Sequence, residues 1–277
     1  MAAADAARPG AAPGAGQPHT QRMNPATAAR DIAGITGRNL RRLVRTPQLL
    51  VFTAVQPAMM LLLFRYALGG AIRIPGMKYV DFVVPAIFLE AVLVGFMATS
   101  IGLAQDIGGG IVDRFRSLPM ARSAVLAGRT LADLCRSIFS LALMVGLGVL
   151  VGFRFHANWL SALAGLGIAL VFGYAFCWIY ATLGLLTRDP ETAQVAGILP
   201  FFILVFASTA FVPVQTMPGW LQWFARNQPV SHTIDLMRAL FHGGPVVHSL
   251  WLTLLWSLGI FLAFFLASIR LYRHLSA

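Results

Sequence analysis

Side chains that could perform chemistry are few and scattered in this sequence. It has no H-E-x-x-H zinc motif, no G-x-S-x-G nucleophile motif and no cluster of carboxylates with a histidine. Only His242 and His248, among the histidines, lie close together. Cys135 and Cys177 fall in apolar stretches outside His or Asp clusters, so we expect small core residues rather than metal ligands or a disulfide. No metal site or catalytic residue is predicted.

Two charged residues stand inside long apolar runs, where charge is unfavourable. Glu90 lies about eight residues, roughly 12 Å, from one end of its run. An unpaired carboxylate there costs about 2.5 to 3.5 kcal/mol on insertion scales, so it must be protonated, paired or facing a cavity. Arg65 is the nearest candidate partner in the sequence, although its long side chain could also reach a lipid interface. A Glu90–Arg65 contact, a substrate or dimer surface at Glu90, and simple solvation all remain open.

A short basic segment, "DRFRSLPMARSAVLAGR" from Asp113 to Arg129, separates two apolar runs. "IVDRFRS" can form two helical turns, with its apolar residues along one side, and Pro119 ends them. A second helix then begins near Arg122 and continues into the next run. The arginines could simply anchor the chain at lipid headgroups. Alternatively, the segment could present apolar side chains and a basic rim to a cytoplasmic partner.

The composition determines the kind of protein that holds these residues. Of 277 residues, 58% are hydrophobic and 11% charged, against roughly 25% charged in soluble domains. Six apolar runs are long enough to be spanning helices, at about 48–68, 82–105, 131–153, 160–186, 194–212 and 249–268. Backbone amides inside lipid must be bonded internally, so the predicted fold is all-α, a polytopic membrane protein with six transmembrane helices. We see no internal repeat.

The ends of the chain and the charge distribution predict an orientation. Residues 1–22 are rich in Ala, Gly and Pro and are expected to be a disordered tail, with one membrane domain over 23–277. The stretch 31–45 alternates arginines with apolar residues and is expected to be an interfacial helix. Most Lys and Arg fall on one side when the spans alternate, which predicts that both termini and the Asp113–Arg129 segment are cytoplasmic. Membrane topology therefore explains much of the net charge of +11, and binding to nucleic acid need not be invoked.

The segment after the fifth run is long and unusually apolar. Pro213 and Pro218 interrupt any helix, and Trp220 and Trp223 are rings typical of membrane interfaces. From residue 230 an apolar stripe recurs at helical spacing, with a parallel polar stripe beside it. We predict two short helices on the outer side, which could simply lie at the interface and rigidify the bundle. The apolar positions are Val230, Ile234, Met237 and Phe241, and the polar ones are Ser231, Asp235, Arg238 and His242.

The segments "DRFRSLPMARSAVLAGRTLADLCRS" and "NQPVSHTIDLMRAL" resemble the daunorubicin-resistance branch of the ABC-2-type transporter permeases, and the resemblance covers nearly the whole chain after residue 25. It implies a coupling helix that contacts an ATPase and outer re-entrant helices that cap the translocation path. The three glycines at 108–110 depart from the family, whose members carry more charge there. The matching coupling residues are Asp113, Arg114, Phe115, Arg116, Ser117, Leu118, Pro119 and Arg122. The outer gate would include Trp220, Trp223, Pro229, Asp235 and Arg238.

The function implied is the permease subunit of an ATP-driven exporter of hydrophobic or amphipathic cargo, a drug, lipid or glycolipid, in a bacterial plasma membrane. The sequence has no G-x-x-x-x-G-K-[ST] motif, so ATP and Mg would be used by separate ATPase subunits, and this chain would bind no cofactor. A second permease would complete a homodimer or heterodimer. Membrane lipids are expected partners and nucleic acid is not. The alternative is an ion-coupled secondary transporter, which normally carries more polar groups at the membrane midplane. A membrane-embedded enzyme would need a catalytic cluster, and this sequence has none.

Overall fold

The computed structural model describes residues 47–72, 74, 76–108 and 122–275. These residues form helices and no β-sheet, as the sequence predicts. A π-helical turn, Phe64–Leu68, extends the first helix, and a 3₁₀ turn, Val214–Thr216, precedes the sixth. The α-helices are α1 Pro47–Leu63, α2 Tyr79–Gly108, α3 Arg122–Leu150, α4 Trp159–Thr187, α5 Pro190–Phe206, α6 Gly219–Asn227, α7 Pro229–His242 and α8 Val247–Leu275.

Four of these helices contain a segment long and apolar enough to cross a membrane. Those segments are Tyr79–Gly108, Gly128–Leu150, Trp159–Thr187 and Val247–Tyr272. Two further apolar helices, Ala54–Leu68 and Pro190–Phe206, are shorter. The multi-pass helical class is therefore confirmed, while the count of six spans stays a prediction.

The bundle is built around α2, which is buried on nearly every side. In its most apolar stretch 83% of residues are buried, against 17% in α8, which lies at the edge. Helices α1, α3, α4 and α5 all pack against α2. Helix α4 approaches α2 closely at Gly184, where an added Cβ would collide with the carbonyl oxygen of Ser100. Small residues thus let the two central helices touch along their backbones.

The six apolar helices of the described chain, α1 to α5 and α8, extend between two ends of the bundle. At one end, which we call the cap end, α7 lies over α2, α4 and α8, and α6 packs on α7. At the other, the basal end, α2 stops at Gly108 and α3 starts at Arg122. The backbone passes from α4 to α5 there through Arg188, which adopts positive φ of 54°, and Asp189, whose carboxylate caps α5.

The fifth helix ends earlier than its apolar run indicates. The run continues to Val212, but α5 stops at Phe206. Beyond it, the Ser208 hydroxyl bonds the carbonyl of Val205 and the amide of Ala210, so the chain turns instead of continuing as a helix. The predicted limit near residue 212 is wrong because these hydroxyl contacts compete with the helical ladder.

Candidate functional site

A buried arginine clamps the cap to the bundle. Arg238 on α7 is 9% exposed, and its guanidinium carbon lies 3.6 Å from the ring centroid of Phe82 on α2. Its Nε donates to the Phe82 carbonyl oxygen at 2.9 Å. Its Nη2 donates to the carbonyls of Thr209 and Ala210 at 2.7 and 3.0 Å, and its Nη1 to Asp235 Oδ1 at 2.9 Å. One side chain thus joins α2, α7 and the turn after α5.

The charge of Arg238 is maintained despite this burial. Burial lowers its pKa to about 10, and the Asp235 carboxylate beside it acts in the opposite direction. The guanidinium therefore stays protonated at neutral pH. Thr209 donates its hydroxyl to the same Asp235 oxygen at 3.1 Å, so the acid is held in place from both sides.

Helix α7 has the sequence pattern needed to occupy this position. Pro229 is its first residue, where its missing N–H costs nothing, and Gln228 before it donates to the Leu204 carbonyl at 2.9 Å. The predicted apolar stripe is confirmed, since all four of its residues are buried. The polar stripe does not face water along its whole length. Ser231 and Arg238 are also buried, because they bond the turn after α5.

His242 supplies a hydrogen bond that helix α2 lacks because of Pro85. Pro85 inside α2 has no N–H, so the carbonyl of Asp81 lacks its helical donor. His242 Nε2 lies 2.9 Å from that oxygen and must donate to it. The His242 Nδ1 is 3.0 Å from His156 Nδ1, so a neutral His242 accepts there from His156. Burial lowers the pKa of His242.

Exposed tryptophans surround the cap end. Trp220 and Trp223, on α6, are 75% and 71% exposed. Trp159 at the start of α4 and Trp251 near the start of α8 are exposed at the same end of the bundle. Amphipathic rings of this kind concentrate where a membrane meets water. These exposed rings support the prediction that the cap lies at a membrane interface, which stays a prediction.

The carboxylate of Glu90 is buried among the helices, and its partner is not the one that the sequence suggests. Glu90 is 1% exposed, and its Oε1 accepts from Gln56 Nε2 on α1 at 2.7 Å. Arg65 instead donates its Nε to the carbonyl of Val151 at 3.2 Å. The Glu90–Arg65 alternative is thus corrected. Arg65 lies in the π-turn that follows α1, nine residues beyond Gln56, so it is displaced along the helix axis from the level of Glu90.

One ion pair within α3 and one between α2 and α3 cannot be predicted from the lengths of the apolar runs. Asp133 on α3 binds Arg136 at 2.8 Å and accepts from Thr99 on α2 at 2.5 Å. Arg136 Nη2 also donates to the carbonyl of Gly95 at 2.6 Å. Arg129 pairs with Asp106 one turn nearer the basal end. Arg129, which the sequence places at the end of the basic segment between two apolar runs, lies within α3. The i,i+3 spacing of Asp133 and Arg136 was the available signal.

The predicted coupling residues 113–119 lie outside the described residues, as does the side chain of Arg122. Helix α2 ends at the basal end and α3 begins there, so the segment that joins them connects to the bundle at that end. Within the part of the chain that is described, no three His, Cys, Asp or Glu side chains are grouped so as to hold a metal ion.

These features together define a multi-pass helical membrane protein with a two-helix cap at one end of its bundle. The model of the ABC-2 type transporter family matches residues 30–242. The daunorubicin resistance ABC transporter permease protein DrrB1 of Streptomyces coeruleorubidus is 33% identical over 231 residues, 83% of this chain and 82% of that protein. The probable doxorubicin resistance permease DrrC of Mycobacterium tuberculosis H37Rv is 32% identical over 227 residues, 81% and 82% of the two chains.

The chain therefore belongs to the ABC-2 type transporter family. It is a transport subunit, a membrane permease of the ABC type, which confirms the resemblance carried by its arginine-rich and "NQPVSHTIDLMRAL" segments. A probable multidrug ABC transporter permease of Escherichia coli K12, YbhR, is more distant, with 22% identity over 60% of this chain and 45% of that protein.

Proposed function

We propose that this permease exports hydrophobic or amphipathic cargo, a drug, lipid or glycolipid, from a bacterial cell, driven by separate ATPase subunits. The observation that carries the proposal is the identity of about one third, across four fifths of both chains, with permeases named for daunorubicin and doxorubicin resistance. The 277 residues contain no P-loop, so ATP and Mg are assigned to the partner.

The proposed topology has six spans, with both termini cytoplasmic and the cap end outside. Helix α1 with its π-turn covers Pro47–Leu68, about 33 Å at helical rise, enough to cross the hydrocarbon core. Helix α5 is shorter, about 26 Å, but follows the same direction between the two ends. The clustering of arginines in the segments that join the basal end supports the cytoplasmic assignment. The permease domain is assigned to 23–277, after a tail of 1–22.

The basal segment between α2 and α3 is proposed to receive the ATPase. Phe115 and Leu118 would be the apolar anchor, and Arg114 and Arg116 the basic rim around it. Movement delivered there would reach α2 through α3, because Arg129 and Arg136 tie α3 to α2 within the next turns. The coupling set is Asp113, Arg114, Phe115, Arg116, Ser117, Leu118, Pro119 and Arg122.

The cap is proposed to be the outer gate. Arg238 and Asp235 join α7 to the start of α2 and to the turn after α5, so a change in these contacts would release α7 from the bundle. Trp220 and Trp223 would keep α6 at the outer interface while α7 moves, and Pro229 begins the helix that moves. A second permease, identical or different, would complete the path, with lipids around the exposed apolar faces.

The test is reconstitution with a candidate ATPase subunit, a P-loop protein sought in the reading frames next to this permease. The complex in proteoliposomes should hydrolyse ATP only when the permease is present, and should move a fluorescent amphiphile across the bilayer in an ATP-dependent manner. A Walker-A lysine variant of the ATPase is the control for both readouts. Transport driven by an ion gradient without ATP would instead establish the secondary-transporter alternative.

A further inference from the structure

Two arginines are held at the cap end of α3 with hydrogen-bond donors left over. Arg65 Nε donates to the carbonyl of Val151 at 3.2 Å. Arg154 Nη1 donates to the carbonyls of Val149 and Phe153 at 3.0 and 3.2 Å. All three acceptors belong to the last turn of α3 and the residues just after it. A guanidinium has five N–H groups, so each arginine is fixed by the backbone and keeps donors for a second group.

Neither arginine is paired with an acid of the described chain. The ion pairs among the described residues are formed by Arg129, Arg136 and Arg238. The Asp81 carboxylate accepts the main-chain N–H of Arg154 at 3.5 Å but forms no salt bridge with its guanidinium. The single charge of Asp81 also cannot balance two cations. The end of α3 therefore carries positive charge that an anion from outside the described chain can neutralise.

Exposed apolar side chains lie next to both arginines. Leu150, the last residue of α3, is 82% exposed, and Tyr66 is 71% exposed. The guanidinium carbon of Arg65 lies 5.7 Å from the ring centroid of Tyr66. An inorganic anion would leave these side chains uncovered, whereas an anion that carries hydrocarbon would cover them. The pairing of charge with apolar surface thus favours an amphipathic anion.

The apolar surface continues from the arginines towards the basal end. Helices α1 and α3 pack against each other, and both carry exposed apolar residues on this stretch. Gly146 is exposed, and a Cβ added there would meet no atom within 4 Å, so the surface of α3 is open about 6 Å below Leu150. Hydrocarbon chains can lie along this surface. Its exposed apolar residues include Met59, Leu62 and Leu63 on α1 and Leu143 and Val149 on α3.

We propose that Arg65 and Arg154 bind the phosphate of an anionic phospholipid whose acyl chains lie along α1 and α3. Phosphate oxygens accept charge-assisted hydrogen bonds from guanidinium N–H groups, for which arginine geometry is well suited. The exposed tryptophans at the same end favour the level of lipid headgroups. A zwitterionic lipid offers the same phosphate but adds a cation beside it, so it binds more weakly. The site does not depend on which cargo the permease transports.

The first test measures lipid binding to the full-length permease by native mass spectrometry. Arg65→Gln combined with Arg154→Gln should weaken binding of phosphatidylglycerol about tenfold or more, because two charge-assisted contacts are lost. Arg226→Gln combined with Arg270→Gln removes the same charge from two other exposed positions and should change binding by about twofold or less. Equal phosphatidylglycerol binding by the two double variants would overturn the proposal and leave Arg65 and Arg154 as caps of α3.

A second measurement uses the wild-type permease and does not depend on how the variants fold. Phosphatidylglycerol with a photoreactive diazirine near the carboxyl end of one acyl chain should label Tyr66 and Leu150. Excess unlabelled phosphatidylglycerol should suppress this labelling, and the same concentration of phosphatidylcholine or glycerol 3-phosphate should not. Equal suppression by glycerol 3-phosphate would show a site for free phosphate esters and overturn the lipid assignment. Absence of labelling on α1 and α3, as when a second copy of the permease covers them, would also overturn it.

Discussion

His242 on α7 donates its Nε2 proton to the carbonyl oxygen of Asp81, 2.9 Å away, at the one position in α2 where Pro85 leaves a carbonyl without a helical donor. The residues are 161 positions apart in the sequence. The contact repairs the proline defect and fixes the end of α7 on the start of α2. It also makes the attachment of the cap dependent on the protonation of a histidine.

The first prediction concerns acid. Burial holds the pKa of His242 below its ordinary value of 6.5, so the neutral form is favoured in the folded protein. The unfolded chain then binds a proton more readily, and this contribution to stability is complete above about pH 6.5 and is lost as pH falls towards the lowered value. A proton added at His242 Nδ1 would also face the N–H that His156 Nδ1 donates to it in the neutral pair.

We therefore expect the melting temperature of the wild-type permease to fall between about pH 7 and pH 5. His242→Gln keeps an amide donor but does not titrate, so its decline over the same range should be smaller. The difference between the two curves isolates His242 from His232 and His248, which both proteins share. Parallel curves would refute the prediction.

The second prediction concerns the clamp. Arg238→Ala removes the donor to three carbonyl oxygens and the cation beside Asp235, and should destabilise the permease by about 3 kcal/mol or more. Arg238→Lys should recover part of the loss, because an ammonium group cannot reach all of the acceptors of a planar guanidinium. Arg226→Ala on exposed α6 should change stability by about 0.5 kcal/mol or less. Unfolding in detergent, followed by tryptophan fluorescence, measures all three.

The third prediction concerns the contact between α2 and α4. A side chain at Gly184 would meet the backbone of Ser100, which cannot move aside, so Gly184→Val should cost about 3 kcal/mol or more or prevent folding. Gly167 lies on the same helix with open space beside it, and Gly167→Val should be tolerated. Yield of monodisperse protein after size exclusion distinguishes the two. Similar behaviour of both variants would show that helix propensity, not packing, is responsible.

The fourth prediction concerns coupling. Phe115→Ala, or Arg114→Glu combined with Arg116→Glu, should leave the permease inserted but weaken its binding to the ATPase. Loss of a well-packed aromatic anchor costs about 2 kcal/mol or more, and a single rim charge about 0.2 to 1 kcal/mol. Arg122→Ala should weaken ATPase binding less, because Arg122 lies beyond Pro119. Co-purification and ATP-driven export test this. Normal values for the Phe115 and double-arginine variants would reduce the segment to a membrane anchor.

The fifth prediction concerns topology. Reporters fused at residue 20 or 277 should read as cytoplasmic, and reporters inserted at Lys78 or His242 as external. Cysteine labelling of intact cells at the same four positions provides an independent check. An external C-terminus would overturn the six-span arrangement.

Several features follow from the sequence alone. Apolar runs of about twenty residues require helices in lipid, whatever their neighbours are, because each helix satisfies its own backbone. For the same reason the multi-pass class and the approximate positions of the long helices could be predicted. The buried stripe Val230, Ile234, Met237 and Phe241 also follows, since helical periodicity is local. The family resemblance depended on short motifs that are likewise local.

Other features were decided only by tertiary structure. The partner of Glu90 is Gln56 rather than Arg65, because the axial level at which α1 packs on α2 is set by packing and does not appear in either helix alone. The polar stripe of α7 faces the protein because Arg238 finds acceptors on Phe82, 156 residues away, and on the turn after α5. Hydrophobicity determines which segments enter the bundle. How the segments are joined depends on carbonyls and carboxylates that have no hydrogen-bond partner nearby in the sequence, because such groups must find their partners in distant parts of the chain.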